Sequence, residues 1–240
     1  MSCNPNPCEN NLLKLILEVG KRLLSKPVHK KEPITVEILQ KLMVYYSSDP
    51  KNLIKLRSFV LCLVGFSGFL RFSEIAEIRM CDIIWNSTYI EIKIHKSKTD
   101  IYRRGNSVII AKTGNDLCPV SWLRKYIDIA NLDISSEDYL FTSINFVRSS
   151  NRYKVVNKSK PLSYTRAREL LLSSLDDIGL DSSNYSLHSL RSGGATAASN
   201  NKVSDTLLKK HGRWVTDRAK DGYVKDSLEQ KILVSLNLGL

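Results

Sequence analysis

Between residues 81 and 113 the hydrophobic pattern changes from a helical period to alternation. Ile90, Ile92 and Ile94 alternate with Tyr89, Glu91, Lys93 and His95, the pattern of a strand with one buried face. Residues 107–111 give a second strand, and residues 82–85 a third, turned by Asn86-Ser87. The flanking sequence reads as helix on both sides. The chain is therefore expected to be α+β, mainly helical, with a small three-stranded antiparallel sheet embedded in helices.

Residues 1–11, rich in Asn and Pro, read as a disordered tail. Leu12, Leu15, Ile16, Val19 and Leu23 form one stripe of a short amphipathic helix over 12–24. SKPVHKKEP (25–33) is basic and proline-bounded, which makes it a linker or extended arm and places a boundary between residues 1–33 and 34–240. Thr35 can cap a helix over 36–47, and a more apolar helix over 53–66 is stopped by Gly68. A short helix over 72–79 follows the turn that bears Arg71. Further helices are expected over 119–130 and 164–178; the latter is capped by Ser163 and closed by Gly179, with Ala167, Leu171, Leu175 and Ile178 inward. Residues 143–161 carry five basic side chains with little periodicity and read as a surface insertion. From Leu187 onward short helices are expected: one holding Arg191, one over 205–210 ended by Gly212, and one leading to Tyr223. A final apolar stripe (Leu228, Ile232, Leu233, Leu236) has nothing after it to cover it.

The 36 Lys and Arg stand against 24 Asp and Glu, a formal charge of +12 that favours a polyanionic partner. A membrane is not expected, since the longest apolar run, 59–70, is broken by Gly65, Ser67 and Gly68 and falls short of the roughly 18 residues a span needs. The first residues lack the basic start and apolar stretch of a secretory signal, which points to an intracellular, reducing setting. The cysteines agree. Cys3 and Cys8 lie in the polar tail, and Cys62, Cys81 and Cys118 stand singly in apolar surroundings, without paired zinc-ligand spacing, so no metal site is expected.

Residues 184–224 place His188 and Arg191 one helical turn apart, then Trp214, then Tyr223. These are donors able to hold a phosphate and a phenol able to attack it. The same stretch, with others upstream, resembles the tyrosine recombinases, or phage integrases. GFLRFSEIAEIRMCDI (68–83) resembles their first arginine box and KSKTD (96–100) their hairpin lysine. HSLR (188–191) resembles their H-x-x-R box, and GRW…GY (212–223) their closing box, with Trp214 nine residues before Tyr223. The wording HSLRSGGATAA and DGYVKDS resembles eukaryotic mobile-element recombinases of the Crypton kind, for which a nuclear location would follow.

The resemblance implies a role for each matching residue. Arg71 and Arg191 would grip the non-bridging oxygens of the scissile phosphate, as guanidiniums that stay charged and can hold two oxygens at once. Lys98 would protonate the departing 5′-oxygen. His188 would assist proton transfer, as an imidazole can near neutrality. Trp214 would give its indole N–H to the phosphate, Glu74 would brace the first arginine box, and Tyr223 would be the nucleophile. The resemblance implies no metal and no nucleotide cofactor. It implies double-stranded DNA as partner, and Lys96, Arg103, Arg104, Lys158 and Lys160 are the candidate DNA-binding side chains. Residues 1–33 would hold the remnant of a core-binding domain that clamps DNA. The tail stripe would either dock on a neighbouring protomer or fold back on its own core. Two other activities fit these residues: silent DNA binding by a domesticated relative, and relaxation of supercoils as by a type IB topoisomerase. His211 competes for the Trp214 position but lies twelve residues before Tyr223, in a last helical turn where a cation would suit the helix end.

Overall fold

The computed structural model describes residues 10–25, 30–95, 105–226, 231–232 and 235–238. The chain divides into two units, Met1–Lys30 and Lys31–Leu240, so the boundary falls within the basic linker. In the first unit, α1 (Asn11–Leu24) is capped by Asn10, whose side chain accepts from the Leu12 N–H, and its apolar stripe is exposed.

The second unit is organised on α3 (Leu53–Ser67). Its residues Phe59, Val60, Cys62, Leu63 and Val64 are all at most 2% exposed. Such burial on every side marks a central helix. Against α3 pack α2 (Val36–Ser47, capped by Thr35), α5 (Pro119–Ala130) and α6 (Tyr164–Asp177, capped by Ser163), and one end of α3 leads into the short α4 (Phe72–Ala76). The sheet has the order β1 (Ile83–Trp85), β2 (Tyr89–Ile94), β3 (Asn106–Ala111), all antiparallel. Ile92 stands opposite Ile83 on one side and Val108 on the other, so the alternating face is one continuous apolar layer.

Four expectations need correction. The insertion is a β-hairpin, β4 (Ser143–Val147) with β5 (Arg152–Val156); only Ile144 and Val155, which pair across it, are buried, so it has almost no apolar period to detect. The helix bearing Arg191 is not short: α7 runs His188–Asn200 through Gly193 and Gly194. A β-carbon at Gly193 would lie 2.0 Å from the Ile34 carbonyl oxygen, and one at Gly194 would lie 2.1 Å from that of Phe66. The two glycines are contact points, not breaks. The helix over 72–79 ends at Ala76, because residue 80 turns its N–H to the Asp138 carbonyl (2.9 Å) and a 3-10 turn, Met80–Asp82, begins. Cys81 is exposed, unlike buried Cys62 and Cys118.

The chain ends with α8 (Asp205–Gly212) and α9 (Asp217–Asp221). Of the tail stripe, Ile232 and Leu236 are 45% and 71% exposed; Leu228 and Leu233 lie outside the described residues. No helix among the described residues is long and apolar enough to cross a membrane.

Candidate active site

Gly68 caps α3 with an ordinary negative φ, and it is Phe69 that enters the left-handed region (φ 46°). That turn aims the Phe69 carbonyl at α7 and sets Arg71 as the residue before α4. The Arg71 N–H donates to Glu74 Oε2 (2.9 Å) and its Nη1 donates to Oε1 (2.8 Å), so one carboxylate closes the first turn of α4 and holds the arginine. The Glu74 side chain is fully buried, whereas that of Arg71 keeps 13% exposure. Glu74 therefore braces the first arginine box.

Arg191, one turn into α7, is 0% exposed. Its Nη1 donates to the Phe69 carbonyl and its Nη2 to the Gly212 carbonyl (2.5 Å), while Glu74 Oε2 lies 3.9 Å from Nη1. The guanidinium carbon sits 4.6 Å from the Trp214 ring centroid and 4.9 Å from that of Tyr223, both within cation–π range. The two rings are 5.5 Å apart. Burial, then the neighbouring Arg71 charge, lower the Arg191 pKa to about 10, which still leaves it charged near neutrality. Trp214 is buried and its indole Nε1 has no hydrogen-bond partner, a costly state for a donor.

Tyr223 follows α9 and donates its backbone N–H to Lys220 O (2.8 Å). Buried Lys220 pairs with Asp205 (2.8 Å) at the start of α8 and with Asp221 (3.3 Å), fixing the platform from which the tyrosine projects. Thr196 on α7 donates its hydroxyl to the Tyr223 carbonyl (3.4 Å) and accepts from the Lys225 N–H (3.0 Å).

Arg71, Glu74, Arg191, Trp214 and Tyr223 are thus gathered around one point, from segments more than one hundred residues apart. His188 lies one turn before Arg191 and is exposed. Lys98, Lys96, Arg103 and Arg104 lie outside the described residues, but Asn106 at the base of that hairpin lines a cleft of about 980 Å³ together with Lys209, Lys210, Arg213 and Trp214. Lys158 lies 3.8 Å from Asp138 and Lys160 is exposed. Both follow β5 and lead into α6, whose Tyr164 packs its ring edge-on against Phe72, 5.5 Å away and next to Arg71. Among the described residues no group of three or more His, Cys, Asp or Glu could hold a metal.

His211 is not a cation at a helix end. Burial lowers its pKa, its Nε2–H donates to Ser67 O (2.8 Å), and its ring meets Phe69 edge-on at 4.5 Å. It is a neutral residue of the wall. Sequence reasoning missed Arg213, whose Nη2 reaches Glu74 Oε2 at 2.8 Å. Its position between Gly212 and Trp214 was the available signal.

Residues 33–229 match the phage integrase family. An integrase/recombinase xerD homolog of Selenomonas ruminantium is 25% identical over 221 residues, 92% of this chain and 61% of the relative. The fold is shared with XerH site-specific recombinase, solved with palindromic difH substrate as a post-cleavage complex (TM-score 0.66, 15% identity, 89% of this chain and 55% of that one). It is also shared with a lambda integrase dimer bound to a COC′ core site (TM-score 0.57, 18% identity, 87% and 51%). The chain thus spans about three fifths or less of the length of these relatives. The match over most of the chain shows that this protein belongs to the phage integrase family of tyrosine recombinases.

Proposed function

We propose that this chain supplies the catalytic domain of a site-specific recombinase that cuts and rejoins double-stranded DNA through a 3′-phosphotyrosyl intermediate. The observation that carries this reading is that Arg71 and Arg191 stand around one buried carboxylate, Glu74, while Trp214 and Tyr223 pack on the Arg191 guanidinium. Tyr223 Oη attacks phosphorus, its proton passing toward His188. The new P–O bond forms as the bond to the 5′-oxygen breaks, and Lys98 protonates that oxygen. Arg71 and Arg191 offset the charge that builds on the non-bridging oxygens, and Trp214 Nε1 finds there the acceptor it otherwise lacks. Attack by a 5′-hydroxyl from another strand reverses the step. Tyr223 and Trp214 now lie against the Arg191 guanidinium, so seating a phosphate requires the tyrosine to move off it.

In this reading residues 34–240 are the catalytic domain and residues 1–33 hold the end of a DNA-clamping domain with its linker, which the separate unit at Met1–Lys30 supports. Lys158 and Lys160, on the segment between β5 and α6, contact the DNA backbone. Self-assembly uses the tail: an apolar groove of about 870 Å³, lined among others by Val36, Leu39, Leu63, Phe66, Ile110 and Ala198, suits the Ile232 and Leu236 stripe of a second copy. Gel filtration with DNA should then show assemblies larger than one protomer; a monomer at all concentrations contradicts the docking. If the host is eukaryotic, this function places the protein in the nucleus.

Incubation with nicked suicide DNA, which loses its short leaving strand after cleavage, should trap a denaturant-resistant protein–DNA complex. No complex on any DNA would select a silent DNA-binding protein. Relaxation of supercoiled plasmid without recombinant joints would select a topoisomerase-like activity.

A further inference from the structure

We infer that Arg213 is a positioning residue of this site, which holds Glu74 in place and thereby keeps Arg191 free to bind phosphate. The inference rests on the reaction proposed above, and its argument begins with the backbone. Arg213 is the residue after α8 and adopts the left-handed conformation (φ 56°, ψ 39°). Glycine is the favoured residue at such a helix end, and a β-carbon there costs about 1 kcal/mol or more. The chain has a glycine one position earlier, at 212, with no positive φ. That glycine answers another need. A β-carbon on it would lie 2.0 Å from Cζ3 of the Trp214 ring. The left-handed turn therefore falls on an arginine, a strained choice that asks what the side chain does.

The side chain is buried at 7% exposure and reaches back across the site. Nη2 donates to Glu74 Oε2 (2.8 Å) and to Phe69 O (3.2 Å); Nη1 donates to His211 O (2.8 Å) and approaches Gly68 O (3.4 Å). One guanidinium thus ties the turn before Arg71 to the turn before Trp214. A planar fork with several fixed donors can make such a bridge; an ammonium cannot make all of it.

Oε2 is the decisive atom. It accepts from the Arg71 N–H and from Arg213, and Arg191 Nη1 stands 3.9 Å away, beyond a hydrogen bond. Without Arg213, Oε2 would lose its guanidinium partner and turn toward Arg191, forming a close pair that competes with phosphate. Charge points the same way. Among the described residues three arginines face the one glutamate, and losing Arg213 takes one positive charge from beside the phosphate.

Among the described residues, the charged and titratable groups around Glu74 include Arg71 on its own turn, Arg191 from α7, and Arg213 with neutral His211 from the end of α8, with Tyr223 over Arg191. Burial raises the Glu74 pKa, but Arg213, then the Arg71 N–H, Arg71 and Arg191 outweigh it, so the carboxyl titrates below its ordinary value.

The test is single-turnover cleavage of nicked duplex DNA from pH 5 to 9 by wild type, Arg213→Gly and Arg213→Lys, with urea unfolding of the same proteins at pH 7 and pH 4. Arg213→Gly removes the side chain while favouring the turn. It should cleave roughly 10- to 100-fold more slowly at saturating DNA, with DNA affinity little changed and the acid limb of its profile moved to higher pH. Arg213→Lys should recover part of the rate. In unfolding, Arg213→Gly should lose less stability than wild type on acidification, a difference that vanishes in a Glu74→Gln background. Wild-type rate and pH profile in Arg213→Gly would overturn the inference; should that variant not fold, the same result in Arg213→Lys overturns it. If wild type itself does not cleave, the proposed reaction falls. The unfolding data then decide alone: a Glu74-dependent difference upholds the hold of Arg213 on Glu74, and its absence overturns it.

Discussion

Glu74→Ala is expected to lower the unfolding free energy by about 3–5 kcal/mol, the cost typical of removing one partner from a buried ionic network. Arg191 and Arg213 are buried, and Arg71 nearly so; all three would lose the carboxylate they share. The Arg71 N–H would also lose its acceptor, so the first turn of α4 would fray. Urea unfolding at pH 7 measures the effect, and single-turnover cleavage should fall by about 100-fold or more, as for loss of a main transition-state contact. The pH dependence has a defined sign. The carboxyl of Glu74 is held below its ordinary 4.5, so its ionisation adds stability that is complete above that pH and is lost as pH falls through the lower folded value. Wild type should therefore lose more stability than Glu74→Gln between pH 5 and pH 3. Equal losses would mean that the network does not hold Glu74 ionised.

Arg191→Ala should reduce cleavage by about 100- to 1,000-fold, the range seen when one preorganised donor to a transition-state oxyanion is removed. Arg191→Lys should not rescue it, because a point charge cannot bond the Phe69 and Gly212 carbonyls and also face phosphate. Arg191→Ala takes the side-chain donor from the Gly212 carbonyl and one of two from the Phe69 carbonyl, so a fall in stability should accompany the fall in rate. Normalising the rate to the folded fraction separates the two. A folded Arg191→Ala protein that cleaves within threefold of wild type would remove Arg191 from the phosphate clamp.

Much of this was legible in the sequence, where a simple physical period wrote it. Alternation at Ile90, Ile92 and Ile94 gave the sheet, and capping by Thr35 and Ser163 gave helix starts that the fold repeats. The hairpin β4–β5 was not legible, since Ile144 and Val155 are its only buried pair. Nor was the length of α7: a short helix is expected at Arg191, and it is the close approach of Ile34 and Phe66 that shows why the helix runs on through Gly193 and Gly194. At the site, the order and spacing of the boxes identified Arg71, Arg191, Trp214 and Tyr223, which the fold assembles. Arg213 had only its place between Gly212 and Trp214 to mark it, because its importance depends on a left-handed backbone angle and on a carboxylate 139 residues away. His211 was misjudged as a helix-end cation because sequence does not reveal that it is buried against Phe69.

The central claim is that Tyr223, beside the Arg191 guanidinium, is the nucleophile in DNA cleavage. The most direct measurement is peptide mapping by mass spectrometry of the complex trapped on suicide DNA, run in parallel with Tyr223→Phe. A nucleotide linked through its 3′-phosphate to the peptide containing Tyr223, and no complex from the Phe variant, are expected. A complex that survives Tyr223→Phe, or a nucleotide mapped to another side chain, would contradict it.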